Sequence, residues 1–279
     1  MKKKVIIITG ASSGIGKSIA ESLIKQGHIV YGAARSINKM QSLLNIGGKI
    51  VHLDLTDDNN ISEAVQKIIR EQGRIDVLIN NAGYGLYGAM ETTPIQQARS
   101  EMEVNVFGLA RMCQLFIPVM RMQKSGRIIN ISSIAGKLTS PLGCWYFASK
   151  HAVEGLSDSL RQELKPFGID VVIIEPGAIR SDWAQTAREH LRKTTQNTPY
   201  EKMAQKIGHF FPFVDKDNSD PEIIVDLTNK AIHAKKPKTR YIGGKWARPL
   251  LFARKFLPDR VFDAAINFQL NQIKRKLYH

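Results

Sequence analysis

The stretch KVIIITGASSGIG, Lys4 to Gly16, decides the fold. Val5 to Ile8 form an apolar run with no polar face, the pattern of a short strand buried on both sides. The run ends at Thr9 in a turn carrying Gly10, Gly14 and Gly16, and a helical pattern follows from Gly14 to Gln26. Strand, glycine turn and helix together open a βαβ unit.

Working outward, similar β-branched runs recur at His28-IVYGAA-Arg35, Lys49-IVHLD-Asp54, Ile75-DVLIN-Asn80, Arg127-IINIS-Ser132 and Ile169-DVVIIE-Glu175. Between them lie segments long enough for helices, such as Asp57–Gln72 and Pro94–Met122. The alternation predicts an α/β fold: a single doubly wound, Rossmann-type domain with a central parallel sheet and helices on both faces. Residues 177–219 read as polar and irregular, a substrate loop with a short helix around Ala184–Lys193 and an aromatic knot at Phe210, Phe211 and Phe213. A helix is predicted from Asp220-Pro221-Glu222 to about Ala234, and a last strand at Arg240-Tyr241-Ile242. Residues 1–242 are thus expected to form the nucleotide-binding catalytic domain, and 243–279 a basic helical extension of it.

The chain has 279 residues, 40 Lys and Arg against 25 Asp and Glu, and a net charge of +15. Its 43% apolar and 23% charged residues fit a globular chain. Two cysteines make no disulfide framework, the apolar run after MKKK is too short for a secretory signal, and no long apolar stretch predicts a spanning helix. The expected compartment is the cytoplasm. The charge is uneven: Lys235 to His279 carries twelve Lys and Arg against Asp259 and Asp263, a balance of +10, which leaves +5 for the rest.

The turn Gly10-Ala11-Ser12-Ser13-Gly14-Ile15-Gly16 lets backbone approach a pyrophosphate at a helix N-terminus. The second strand ends in Arg35 where an acidic residue would bind a ribose 2′-hydroxyl, so a 2′-phosphate and hence NADP(H) is preferred, with NAD(H) the second choice. Lys17 adds to the basic surroundings. Asp54 and Leu55, after the third strand, are expected at the adenine, and Asn81-Ala82-Gly83 at its ribose. Histidines lack ligand spacing, and no metal is expected.

Tyr146 and Lys150 stand four residues apart, on one helix face, thirteen residues after the strand-end Ser133. A phenol near pKa 10 is a poor base; an adjacent ammonium favours its phenolate. Taken with Asn80 to Gly83, Asn105 in EVNVFG and Pro176-Gly177, these motifs resemble the short-chain dehydrogenase/reductase family, in the branch with a Thr-Gly-x-x-x-Gly-x-Gly turn. The resemblance runs from about Lys4 to Asp182. The tail motifs Arg240-Tyr241-Ile242-Gly243-Gly244 and Leu257-Pro258-Asp259-Arg260 are similar to hydroxysteroid and retinol dehydrogenase-like members.

The resemblance implies roles. Tyr146 is the acid in carbonyl reduction and the base in alcohol oxidation; Ser133 polarises the substrate oxygen; Lys150 binds the nicotinamide ribose and lowers the Tyr146 pKa. Asn105 holds a water linking Lys150 to solvent, and Pro176, Gly177, Ile179 and Ser181 contact the carboxamide side. A homodimer or homotetramer is implied as well. The activity expected is hydride transfer between NADP(H) and a carbonyl or secondary alcohol on a hydrophobic substrate, against the alternatives of a 3-ketoacyl reductase and a non-catalytic NADP(H) sensor. Tyr84, Leu86, Leu138, Leu142, Cys144, Trp183, Phe211 and Phe213 are the expected substrate walls.

In the tail, Phe262, Ile266, Leu270, Ile273 and Leu277 mark one face of an amphipathic helix. That face either packs over the substrate cleft or a partner subunit, or makes peripheral membrane contact. Nucleic acid is not an expected partner, because no recognition motif accompanies the charge.

Overall fold

A computed structural model describes residues 2–181, 183–209 and 218–277. The strands are β1 Val5–Thr9, β2 Ile29–Ala34, β3 Lys49–His52, β4 Val77–Asn80, β5 Gly126–Ile131, β6 Ile169–Pro176 and β7 Arg240–Gly243. The helices are α1 Gly14–Lys25, α2 Gln41–Asn45, α3 Asp58–Gln72, α4 Ile95–Met102, α5 Leu109–Met122, α6 Cys144–Leu164, α7 Trp183–Thr195, α8 Glu201–Gly208, α9 Glu222–His233, α10 Ala247–Phe256 and α11 Asp259–Leu277. All seven strands pair in parallel in the order β3-β2-β1-β4-β5-β6-β7. The order reverses at β1, so the carboxyl ends of β1 and β4 flank a crevice where a ligand fits.

The apolar run Val5–Ile8 shows why both faces need cover. Val5 and Ile7 pack with Ile61, Val65, Met112 and Phe116 of α3 and α5. Ile6 and Ile8, pointing the other way, pack with Ile19 and Leu23 of α1 and Ile224 and Val225 of α9. Strand alternation thus feeds two cores. A third apolar cluster lies beyond the carboxyl edge and joins Tyr87, Leu138, Tyr146 and Phe147 to Phe262, Ile266 and Leu270 of α11.

Two segments differ from the sequence reading. The segment expected as one helix over Pro94–Met122 widens to a π-helical turn at Glu103–Gly108, between α4 and α5. Within residues 177–219, read as largely irregular, the short helix expected around Ala184–Lys193 is α7, slightly longer at each end, and α8 was not expected; its polar outer face masked the buried Ala204 and Ile207. The Phe210, Phe211 and Phe213 knot lies outside the described residues.

Candidate active site

A cleft of about 580 Å³ runs along the carboxyl edge of the sheet. At one end the glycine turn closes on the loop after β4. Gly10 has a φ of +70°, and a Cβ there would lie 2.8 Å from the Ala82 Cα; one on Gly16 would lie 2.3 Å from Asn81 Nδ2. Asn81 is the clamp: its amide donates to the Thr9 carbonyl at 3.0 Å and its backbone N–H to the Thr9 hydroxyl at 3.0 Å. The side chain expected beside a ribose therefore braces the turn.

The N-cap of α1, Ser13, is extended and makes no side-chain capping bond, and no acidic residue stands in the first turn. The helix dipole faces the cleft uncompensated, the setting that a pyrophosphate occupies. Arg35 and Lys39, both exposed, border the same end. Lys17 does not border the cleft; it reaches along α1 to Glu21 at 3.9 Å. Burial works against the Asp54 carboxylate, but bonds from the Thr56 N–H at 3.0 Å and hydroxyl at 2.8 Å, with the Arg35 charge, bring its pKa below the ordinary value. Asp54 and Leu55 line the wall, as do Ala82 and Gly83.

Midway along the cleft, α6 aims one face inward. Tyr146, Ser149, Lys150, Val153, Glu154 and Ser157 are its buried stripe, the i, i+3, i+4 geometry of a packed helix. Lys150 Nζ donates to the Ile131 carbonyl at 3.0 Å; burial pulls its pKa down to about 8, against the opposing pull of Glu101 and Glu154. Burial pushes the Tyr146 phenol well above its usual range, with Glu101 adding to the rise and a hydrogen bond to Ser133 opposing it. In the chain alone, desolvation is the largest influence on Tyr146 and favours its phenol form. Ser133, at the end of β5, accepts from the Ala135 N–H at 3.1 Å.

Asn105 sits in the π-helical turn and does not line the cleft directly. Its amide donates to the Tyr84 carbonyl at 2.9 Å and the Ser149 hydroxyl at 3.0 Å, and its oxygen accepts from the Tyr84 N–H at 3.1 Å. Asn105 Oδ1 and Lys150 Nζ both approach Gly83, 2.9 and 3.8 Å from where a Cβ would stand. Beneath them Asn80 donates to Asn130 at 2.9 Å, and Asn130 to Ser157 at 2.8 Å, a buried chain that ties β4 and β5 to α6. The two amides link the elements through their donors, while Asn80 Oδ1 accepts no hydrogen bond among the described residues.

The far end of the cleft is apolar. Tyr84, Tyr87, Leu138, Phe147 and Trp183 line it, and Leu250, Phe262 and Ile266 of the tail close it over. The Trp183 ring lies 5.2 Å from that of Tyr146, and the Tyr87 ring 5.7 Å. Gly85 makes room for the indole, since a Cβ there would meet it at 2.5 Å. The cleft shares Thr139, Ser140 and Ile266 with an adjoining cavity of about 220 Å³ bordered by Asp263 and Asn267.

Thus Gly10, Ser12, Ser13, Gly14, Ile15, Gly16, Arg35, Asp54, Leu55, Asn81, Ala82, Gly83, Ser133, Tyr146, Lys150, Pro176, Gly177, Ile179 and Ser181 all border one cavity. Of the expected substrate walls, Tyr84, Leu138 and Trp183 do so. Leu86 and Leu142 are buried elsewhere, and Cys144 is exposed at the start of α6; Phe211 and Phe213 lie outside the described residues. Sequence reading missed Lys39, Tyr87, Phe147, Leu250 and the buried Glu101. The tail residues did carry a signal in their period, but nothing local shows which surface a helical stripe meets. Among the described residues, no His, Cys, Asp and Glu cluster could hold a metal.

The short chain dehydrogenase family model matches residues 4–192. The chain is 37% identical over 269 residues to a 3-ketodihydrosphingosine reductase of Bacteroides thetaiotaomicron, covering 95% of this chain and 97% of that one. It is 31% identical over 280 residues to an NADPH-dependent 3-dehydrocapnine reductase of Ornithobacterium rhinotracheale, covering 97% and 98%. Among solved structures, a short-chain dehydrogenase from Streptomyces avermitilis aligns over 98% of both chains, with 31% identity and a TM-score of 0.76.

Proposed function

The chain belongs to the short-chain dehydrogenase family and is an oxidoreductase acting on CH–OH groups, and on that premise we propose that it interconverts a ketone and a secondary alcohol on a long hydrophobic chain, with NADP(H) as cofactor. The observation that carries this reading is the position of Tyr146, held at the join between the two halves of one cleft, with the glycine turn, Arg35 and Lys39 on one side and the aromatic wall and tail on the other.

The residues fit the dinucleotide. Gly10 and Gly16 let the turn close on the loop after β4, where any side chain would collide with Ala82 or Asn81, and the open N-terminus of α1 supplies N–H groups for the pyrophosphate. Arg35 and Lys39 supply cations for a 2′-phosphate, with NAD(H) the weaker ligand. When bound, NADPH supplies the hydride. The Ser133 hydroxyl donates to the substrate oxygen and orients it. The Tyr146 phenol gives up its proton to that oxygen as the alcohol forms, and in the reverse direction takes one from it. Lys150 stabilises the phenolate left behind, and Asn105 fixes the Tyr84 loop against α6 around Gly83, beside the route by which a proton returns.

The names of two relatives place the oxidised carbon at position 3 of their substrates. This supports a 3-ketone here, its chain lying under Phe262 and Ile266 toward the adjoining cavity. The test is NADPH absorbance with a 3-keto lipid against short ketones. The proposal expects preference for the lipid and a loss of at least about 100-fold in Tyr146→Phe. Unchanged turnover in that variant would remove the mechanism, and equal use of short ketones the substrate class.

A further inference from the structure

The tail has two faces, and the cleft uses only one. Phe262, Ile266 and Leu270 of α11 are buried over the site. On the outside, Arg248, Phe252, Lys255 and Phe256 follow one another on a single face of α10 at steps of four, three and one. Phe252 and Phe256 are 68% and 61% exposed, and their ring centroids lie 4.7 Å apart with the planes inclined by 50°. The Lys255 ammonium lies 5.3 Å from the Phe256 ring centroid. Val261 and Phe268 stand seven residues apart on the outer face of α11, 50% and 64% exposed. A cluster of large aromatic side chains left in water on two adjoining helices is uncommon for a chain that acts alone.

We propose that this outer face docks the protein on an anionic lipid bilayer. Charge selects the occupant. The segment from Lys235 carries +10, and some of that charge is committed: Arg240 joins Glu154 at 2.9 Å, Asp158 at 2.6 Å and Glu175 at 3.1 Å, and Arg254 joins Asp259 at 2.8 Å. Arg248, Lys255 and Arg260 form no ion pair among the described residues and stand exposed beside the phenylalanines. A second copy laid against this face would set like charges together. An anionic headgroup layer supplies phosphates for the cations and an acyl boundary a few ångströms deeper for the rings, so it satisfies both halves of the surface at once. No helix among the described residues is long and apolar enough to cross a membrane; the contact is peripheral. It stands apart from the reading of the reaction, since none of these outer residues borders the cleft.

The test is co-sedimentation of the full chain with vesicles of phosphatidylcholine alone or with roughly 30% phosphatidylglycerol, at low and high salt. The expected result is sedimentation with the anionic vesicles, about tenfold weaker on neutral vesicles and in high salt. Phe252→Ser/Phe256→Ser and Arg248→Gln/Lys255→Gln should each weaken it about tenfold, with thermal melting and NADPH binding unchanged to show that the fold is intact. Equal sedimentation on both vesicle types would overturn the proposal, as would variants that bind like the parent. So would variants that change only the sedimentation coefficient of the protein without lipid, which would assign the face to a second copy.

Discussion

Trp183 covers Tyr146: the indole lies 5.2 Å from the phenol ring, inclined by 50°. The first residue of α7 is thus part of the cover, with Tyr87 and Phe147, whose burial of the phenol raises its pKa. A phenol works as an acid only while protonated, so the alkaline limit of reduction rests in part on the indole. In Trp183→Ala the phenol pKa falls toward its ordinary value, and the high-pH limb of the kcat/KM profile should move to lower pH. A profile identical to the parent's would show that the indole has no part in setting it.

Glu101 is fully buried; the Leu86 N–H donates to one of its oxygens at 2.9 Å, while the other has no partner. Burial pushes its pKa up to about 8, with the Leu86 bond and Lys150 opposing. The unfolded carboxyl titrates near 4.5. Between those values the folded state holds the extra proton, so stability falls as pH rises through that window. Glu101→Gln keeps the bond to Leu86 and has no charge to bury. It should melt with the parent near pH 5 and be more stable at pH 8 by about 1–3 kcal/mol, read by thermal unfolding at both.

Cofactor choice is tested at Arg35. Arg35 and Lys39 border the same end of the cleft, and the proposed function has them meet a 2′-phosphate. Arg35→Ser should raise the KM for NADPH about 10–100-fold, the worth of a charge-assisted bond, and leave that for NADH nearly unchanged. A parallel rise for both would relocate the 2′-phosphate.

The glycine turn gives a steric prediction. A methyl at Gly16 would meet Asn81 Nδ2 at 2.3 Å and the Gly10 carbonyl at 2.5 Å, both part of the clamp. Gly16→Ala should cost about 1–3 kcal/mol of stability and abolish dinucleotide binding, measured by fluorescence of bound NADPH. Binding at parental affinity would show that the turn adapts.

Phe262 is 4% exposed at the roof of the cleft. Phe262→Ala should raise the substrate KM and cost about 2–4 kcal/mol of stability, while the KM for NADPH stays put. Ile266→Ala, a smaller deletion, separates the two effects if folding suffers. A shift confined to the cofactor KM would contradict the placement of the tail.

The sheet and the dinucleotide end were legible because their signals are local. Val5–Ile8 cannot be other than doubly covered, and the glycines at 10, 14 and 16 stand at spacings that a close backbone approach demands. The substrate end was legible only in part. Leu86 and Leu142 are apolar residues near the site in sequence, but local apolarity cannot separate a wall from a core. The helix α8 was hidden by polar outer residues, and the π-helical turn at Asn105 leaves no trace in hydropathy. Nothing in the residues around Glu101 marks it as a carboxylate that the fold buries.

The roof of the cleft has a further consequence. Every residue proposed to handle hydride or proton lies before residue 182, whereas Leu250, Phe262 and Ile266 come from the last 33 positions of the chain. Part of the apolar wall is thus written in a stretch of the polypeptide separate from the proposed chemistry. A graft that exchanged only the terminal two helices would inherit the chemistry whole and acquire a different clientele.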